Sequence, residues 1–258
     1  MTNFGIAMIS YRILDGGLAP RRITLSRPGW SGTADRRVDG STAQPWHCAP
    51  FTEGATYGVE LLYPFETRCE VINKDGQPHF LGSFDNELRS TVVWPPFQSA
   101  NPGHYSMATL LDLAAPHASS LRVEPHPRFF TDQSGEVPVA VIGNVQTHWW
   151  PLCLFVTFKS PRPGERHVFE KGMPYCQVIV VPNRRDESLR HMEPSECAER
   201  EMLAQAIMRN RARIRTNGWV SHDRLAFDDV YKQLRRAYQT GGLDGIRKCL
   251  FEAKVGRD

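Results

Sequence analysis

The segment Glu124-Pro125-His126-Pro127-Arg128-Phe129-Phe130-Thr131-Asp132 sets an imidazole between two prolines, with a guanidinium and two carboxylates close by. Proline fixes φ and lowers the entropy cost of holding its neighbours in place, so this stretch can present acid, base and anion-binding groups in set directions. In a catalytic reading, His126 is a general base or metal ligand and Asp132 orients it or completes a ligand set. Arg128 clamps a substrate carboxylate through two parallel hydrogen bonds. Thr147-His148-Trp149-Trp150-Pro151 adds a second histidine and two adjacent indoles, Trp149 and Trp150, that can bind a flat or apolar substrate. Asn101-Pro102-Gly103-His104-Tyr105 is a turn ending in a third histidine. His104, His126 and His148 stand on separate β segments, and imidazoles from separate strands can converge on a divalent metal, iron or zinc. The same residues also fit a metal-free polar pocket, or a structural set of hydrogen-bonded groups at strand ends. All three readings stay open at this level.

Other chemistries find no support. The chain has no G-x-x-x-x-G-K-[ST], no G-x-G-x-x-G and no H-E-x-x-H. Gly29-Trp30-Ser31-Gly32 echoes a nucleophile elbow but carries its second glycine one position too near the serine. His191-Met192-Glu193 with His222 has the spacing of an iron facial triad, but it sits at the start of a helical region. Pro161-Arg162-Pro163-Gly164-Glu165-Arg166-His167 has the Gly-x-x-His spacing of a second cupin motif without the first, and reads more simply as a Pro-Gly turn with an exposed histidine.

The elements that must position these groups are short. From the start to about Pro182, apolar runs and period-2 patterns are broken repeatedly by Pro and Gly. Tyr57–Tyr63, Thr67–Asn73, Gln77–Gly82, Thr91–Trp94, Leu121–Glu124, Val137–Val145, Leu152–Phe158 and Tyr175–Val181 read as strands, as does Gly5–Tyr11, while Tyr105–Leu113 fits strand or helix. Asp75-Gly76 between two such runs predicts a hairpin. With no helical pattern alternating between the strands, the expected fold is mainly β, a jelly-roll or β-sandwich body over 1–182. Residues 16–44, poor in apolar side chains, read as an irregular arm. Beyond Pro182 the period becomes helical, giving a C-terminal extension over 183–258. Ser195 is expected as N-cap of a first helix that stops at Asn217-Gly218. A second helix is expected from Leu225 to Gln239, with Phe227, Val230, Tyr231, Leu234 and Tyr238 as its stripe, and a third, short one over Leu243–Phe251. These stripes should pack on the β body or on a second subunit.

The 258 residues carry 31 Lys and Arg against 28 Asp and Glu, and the excess lies in the tail, with 16 against 12 from Asn183 onward. A nucleic-acid binder usually carries a denser basic stripe, which argues against that class. No apolar run is long enough to span a membrane, and the first residues lack the basic and apolar regions of a secretory signal, so a cytoplasmic protein is expected. None of the six cysteines has C-x-x-C spacing, and all six are expected as free thiols.

Tyr105-Ser106, Glu124–Asp132, Val137–Ala140, Thr147–Pro151 and Phe169–Pro182 together resemble a bacterial family of domains of unknown function, with more distant, similarly patterned proteins in tailed phages. The resemblance runs from about Pro45 to Pro182, with Phe227–Tyr231 also similar. It implies boundaries and a choice of segment but no reaction. An acidic residue is usual in that family where His148 stands. Lys171–Pro182 also resembles the K-G-D-x-I-A-Q-L-V-I-V-P strand of trimeric dUTPases and dCTP deaminases, whose other nucleotide motifs are not evident here; that likeness implies a shared β topology. Two functions follow as expectations. One is a small-molecule enzyme, a metal-dependent tailoring step in a bacterial biosynthetic pathway. The other is a non-catalytic binding or assembly protein, with the β body as scaffold and the helical tail for docking or homo-oligomerisation. The catalytic reading requires His126 and Arg128 to point into a hollow shared with the two indoles.

Overall fold

The computed structural model describes residues 8–14, 16–23, 49–82, 95–132, 134–183, 188–220 and 226–251. The Thr91–Trp94 strand, the Gly29–Gly32 segment, most of the 16–44 arm, Cys48 and His222 lie outside them. In chain order the elements are β1 (Ser10–Ile13), β2 (Arg21–Arg22), helix α1 (Ala49–Ala55), β3 (Val59–Leu62), β4 (Cys69–Lys74), β5 (Gln77–Leu81), β6 (Phe97–Ser99), β7 (His104–Ala108) and β8 (Leu111–Ala114). They continue with β9 (Ser119–Pro125), a 3-10 turn (Pro127–Thr131), β10 (Gly143–Val145), a second 3-10 turn (Thr147–Trp149), β11 (Phe155–Lys159), β12 (Arg166–Phe169) and β13 (Pro174–Pro182). Last come α2 (Pro194–Ile214), β14 (Gly218–Val220), β15 (Ala226–Asp228) and α3 (Val230–Phe251). The described residues fall into two compact units, one within 1–24 and 55–186 and the other within 25–54 and 187–258.

The first unit is a jelly-roll-like β sandwich, and the second holds the helical extension. Every pairing is antiparallel. The largest sheet runs β10-β9-β13-β3-β2, beside sheets β11-β7-β6, β12-β4-β5 and β1-β8. Alternation along the strands decides which face is buried. Leu121 and Val123 of β9, Cys176 and Val178 of β13 and Leu61 of β3 point into one core with Tyr63, Phe97, Tyr105, Phe158, Phe169 and Tyr175. Tyr105 stacks on Phe158 at 5.2 Å between ring centroids. Cys69, Cys153 and Cys176 are free and buried; burial pushes the Cys69 thiol up to about 12 and raises the other two, so they are unreactive at neutral pH.

Turn chemistry forms as the residues demand at Asp75-Gly76, both at positive φ between β4 and β5. Tyr105–Leu113 is two strands, broken where Leu110 takes φ 54°. Val137–Val145 shortens to β10, preceded by a lone bridge from Ala140 to Phe158. The cupin-like segment does turn at Gly164, but His167 is buried on β12, hydrogen-bonded to the Tyr105 hydroxyl at 2.8 Å, rather than exposed.

In the second unit the N-cap of α2 lies two residues before the expected Ser195. Glu193 is the N-cap, and it forms a capping box with Glu196. That role takes Glu193 from the iron-triad spacing. The expected second helix begins at Val230, since Ala226–Asp228 is the strand β15 paired with β14. It then continues past a break at Gly241-Gly242 to absorb the third. Leu203, Ile207 and Ile214 of α2 pack with Val230, Leu234 and Leu250 of α3, so the helices cover each other's apolar stripes. Arg213 donates to the Cys249 carbonyl at 3.2 Å and to that of Leu250, satisfying the end of α3. Residues 49–54 also belong to this unit, and Glu53 of α1 is ion-paired to Arg235 of α3.

Gly58, at φ 80°, lets β3 begin directly against β13. A Cβ there would lie inside the Val178 carbonyl oxygen and 2.6 Å from Ile179 Cγ2, whereas one on Gly76 would meet nothing within 4 Å. Gly58→Ala is therefore expected to lower unfolding stability by about 3 kcal/mol or more and Gly76→Ala by about 1 kcal/mol, read from urea melts of the two variants.

Candidate functional site

Proline geometry builds the His126 turn. A residue before proline is driven to extended backbone, and His126 has φ −69° and ψ 135°. Pro127 takes the first position of the 3-10 turn, where its missing N–H is not needed. The His126 ring then folds back, and Nδ1 accepts the Arg128 amide at 3.1 Å. With Nδ1 accepting, the ring proton is on Nε2, which donates to Glu60 Oε2 at 2.9 Å. The other Glu60 oxygen accepts from Arg21 Nε at 2.5 Å. Glu60, His126 and Arg128 are all buried, 2%, 6% and 6% exposed.

Register explains how these groups meet. Arg21, Glu60, Gln177 and Glu124 are successive cross-strand partners over β2, β3, β13 and β9. They share the sheet face opposite the core. His126 has the parity of Glu124 and continues that polar row. Burial alone would push the Glu60 carboxyl up, but the hydrogen bonds from His126 and Arg21 outweigh it and hold the carboxyl below its usual range.

Asp132 does other work. Oδ1 accepts from the Ser134 amide at 3.1 Å and hydroxyl at 2.6 Å, and Oδ2 accepts from the Val137 amide at 3.2 Å. It closes an Asx-type loop after the turn. Burial raises its pKa less than these bonds lower it. The residue that orients His126 is Glu60, not Asp132. The signal for Glu60 was present as a carboxylate inside the apolar strand Tyr57–Tyr63.

The three histidines do not converge. His104 bonds to the Pro102 carbonyl at 3.2 Å, His148 is exposed with its ring 5.3 Å from that of His117, and both ring nitrogens of His126 are engaged as described. Among the described residues no three His, Cys, Asp or Glu side chains are grouped to hold a metal ion. His104, His126 and His148, expected to share an iron or zinc, are thus not grouped as one ligand set: His104 begins β7, His126 precedes the first 3-10 turn and His148 lies in the second.

The indoles belong to a different place. Trp149 is 61% exposed and Trp150 45% exposed, with their rings edge to face at 5.7 Å. Trp150 forms part of a cleft of about 310 Å³ with Leu113, Val145, Leu152, Leu154 and Phe155, and Thr147 and Cys153 complete the wall. The Ala115 amide donates to Thr147 Oγ1 at 2.9 Å, tying the end of β8 to the second 3-10 turn, and Arg12 donates to the Pro151 carbonyl at 3.2 Å beyond the indoles. Val145 pairs with Leu121, on the core face of the large sheet. None of His104, His126, Arg128, Asp132 and His148 lines the cleft. The hollow expected to join the imidazole, the guanidinium and the indoles is thus two places, one on either face of a sheet.

No protein-family model matches the chain, and no curated protein is significantly similar to it. Among solved structures it is similar to the dUTPase of phage phi11 of S. aureus, at 8% identity over 72% of this chain and 97% of that one, with a TM-score of 0.38. It is also similar to the EIAV dUTPase, at 8% over 72% and 98% with a TM-score of 0.35. A mutant dUTPase of phage 80alpha gives 12% over 78% and 95%, with a TM-score of 0.36. Superpositions this loose carry nothing about the reaction. Among the described residues no helix is long and apolar enough to cross a membrane.

Two buried groups of the β body, His167 and Glu60, contribute to the acid limb of stability. Burial pushes His167 down to about 4, against the attraction of Glu165, so the folded state holds it neutral. The unfolded chain binds this proton first; stability from His167 is therefore complete above about pH 6.5 and falls by up to about 3 kcal/mol on the way to about pH 4. The lowered Glu60 pKa has the same sign at lower pH. Its contribution is present above the ordinary carboxylate range and is lost as pH falls through the folded value. Urea melts across pH 7 to 3 should show both windows, with His167→Phe flattening the upper and Glu60→Gln the lower.

Proposed function

We propose that the β body binds a small molecule with a flat apolar portion in the cleft beside Trp150. The observation that carries this reading is the cleft itself: about 310 Å³, walled by Leu113, Val145, Trp150, Leu152, Leu154 and Phe155, with a polar hydroxyl at Thr147. That volume is in the range of small-molecule sites, and apolar walls with few polar groups are their usual composition. An aromatic face on one wall favours a planar ligand. In this reading His126, Arg128 and Asp132 hold the turn that ends β9, the strand to which Val145 is paired. They act on the shape of the cleft and do not enter it. A metal-dependent tailoring reaction is not part of the reading, since the imidazoles proposed for it are apart.

Titration of the full chain with naphthalene, followed by calorimetry and by the indole N–H resonances, tests the cleft. Binding with a shift of the Trp150 resonance is expected, weakened about tenfold or more in Trp150→Ala. Absence of binding in the wild type sinks the reading.

A second reading, assembly through the helical unit, is favoured by Tyr231 and Tyr238, two turns apart on α3 and more than half exposed. If these rings meet a second copy, light scattering should give a mass above 29.3 kDa that falls to it in the doubly substituted Tyr231→Ser, Tyr238→Ser chain. A wild-type monomer removes this reading and leaves the cleft untouched.

A further inference from the structure

We infer that the cleft selects, among planar molecules, an uncharged one that offers a hydrogen-bond acceptor on one edge to the Thr147 hydroxyl; this rests on the binding role proposed above. Thr147 is buried and lines the cleft. Its oxygen is fixed by the Ala115 amide, which donates to it at 2.9 Å. A hydroxyl also carries one donor hydrogen. Among the described residues that hydrogen has no acceptor.

The rest of the wall narrows the ligand further. Cys153 gives its S–H to the Leu154 carbonyl at 3.5 Å, and burial keeps the thiol neutral, so it is a weak partner already engaged. No Asp, Glu, Lys, Arg or His is among the residues that line the cleft. An ionised group would lose its water there and gain no counter-charge. A flat ring covers the Trp150, Leu113 and Phe155 surfaces, and one acceptor atom at its rim completes the Thr147 hydroxyl. A ring nitrogen or a ring carbonyl has that chemistry. The amide-anchored oxygen makes the position of the donor part of the fold, so the acceptor's position on the ring is discriminated as well as its presence.

Quinoline and naphthalene have nearly the same shape and differ by one ring nitrogen, so they test the inference directly on the full chain. In the wild type, the ratio of quinoline to naphthalene affinity should exceed the ratio of their water-to-cyclohexane partition coefficients by about tenfold, the gain from one hydrogen bond to a buried hydroxyl. Thr147→Val should remove the excess while naphthalene still binds, and Thr147→Ser should keep it. Isoquinoline, with its nitrogen moved along the ring, should bind less tightly than quinoline or more tightly by at least threefold. An affinity ratio equal to the partition ratio in the wild type overturns the inference without any variant, and leaves the binding role standing because naphthalene is bound. An excess that survives in Thr147→Val overturns it too. Failure of both probes to bind overturns the binding role and the inference together.

Discussion

A buried carboxylate on the outer face of a sheet is the constraint on which the β body depends. Glu60 has lost its water, and such a charge is tolerated only where it is paired and hydrogen-bonded. Arg21 arrives on a strand of two residues at the sheet edge, and His126 arrives from a turn sixty-six residues further along the chain. One carboxylate thereby joins the edge strand, a central strand and the turn after β9. The prolines either side of His126 do their work here. They fix the backbone so that the imidazole can reach the carboxylate while its other nitrogen holds the Arg128 amide. Residues that look like an acid–base centre in the sequence also meet this need.

The two faces of the large sheet are therefore specialised differently. Its inner face continues into an aromatic core, and past the end of β10 the wall of that core opens as the cleft at Trp150. Its outer face is a polar row from Arg21 through Glu60 and Gln177 to Glu124. Alternation forbids a side chain on one face from serving the other. The separation of the histidine turn from the indoles is a consequence of strand parity, since Val145 pairs with Leu121 and His126 continues the parity of Glu124.

The helical unit closes on itself by the same kind of self-sufficiency. The α2 stripe meets the α3 stripe, and Arg213 and Asp229 satisfy backbone groups at the ends of the elements. Asp229 accepts the Thr216 amide at 2.8 Å and the Asn217 amide at 3.0 Å. The outward tyrosines of α3 are what remains of the long stripe read from the sequence, Val230 and Leu234 having turned inward.

What could be read from the residues alone was what local physics decides. Asp75-Gly76 makes its turn because both can take positive φ, β13 is the apolar run before Pro182, and the change from period two to helical period marks the extension. The same local logic missed where capping and packing compete. Glu193 outbids Ser195 as cap because Glu196 reciprocates, and β15 claims residues that helical spacing would have kept. The candidate site was legible as a set of residues and not as a place. Whether His126 meets Asp132 six residues on or Glu60 sixty-six residues back depends on the register of β3, β13 and β9, as does the face on which Trp150 finds its cleft. Register is settled by contacts among distant strands, which spacing along a single chain does not encode, and so the tertiary structure alone divided the chemistry into a lock and a cleft.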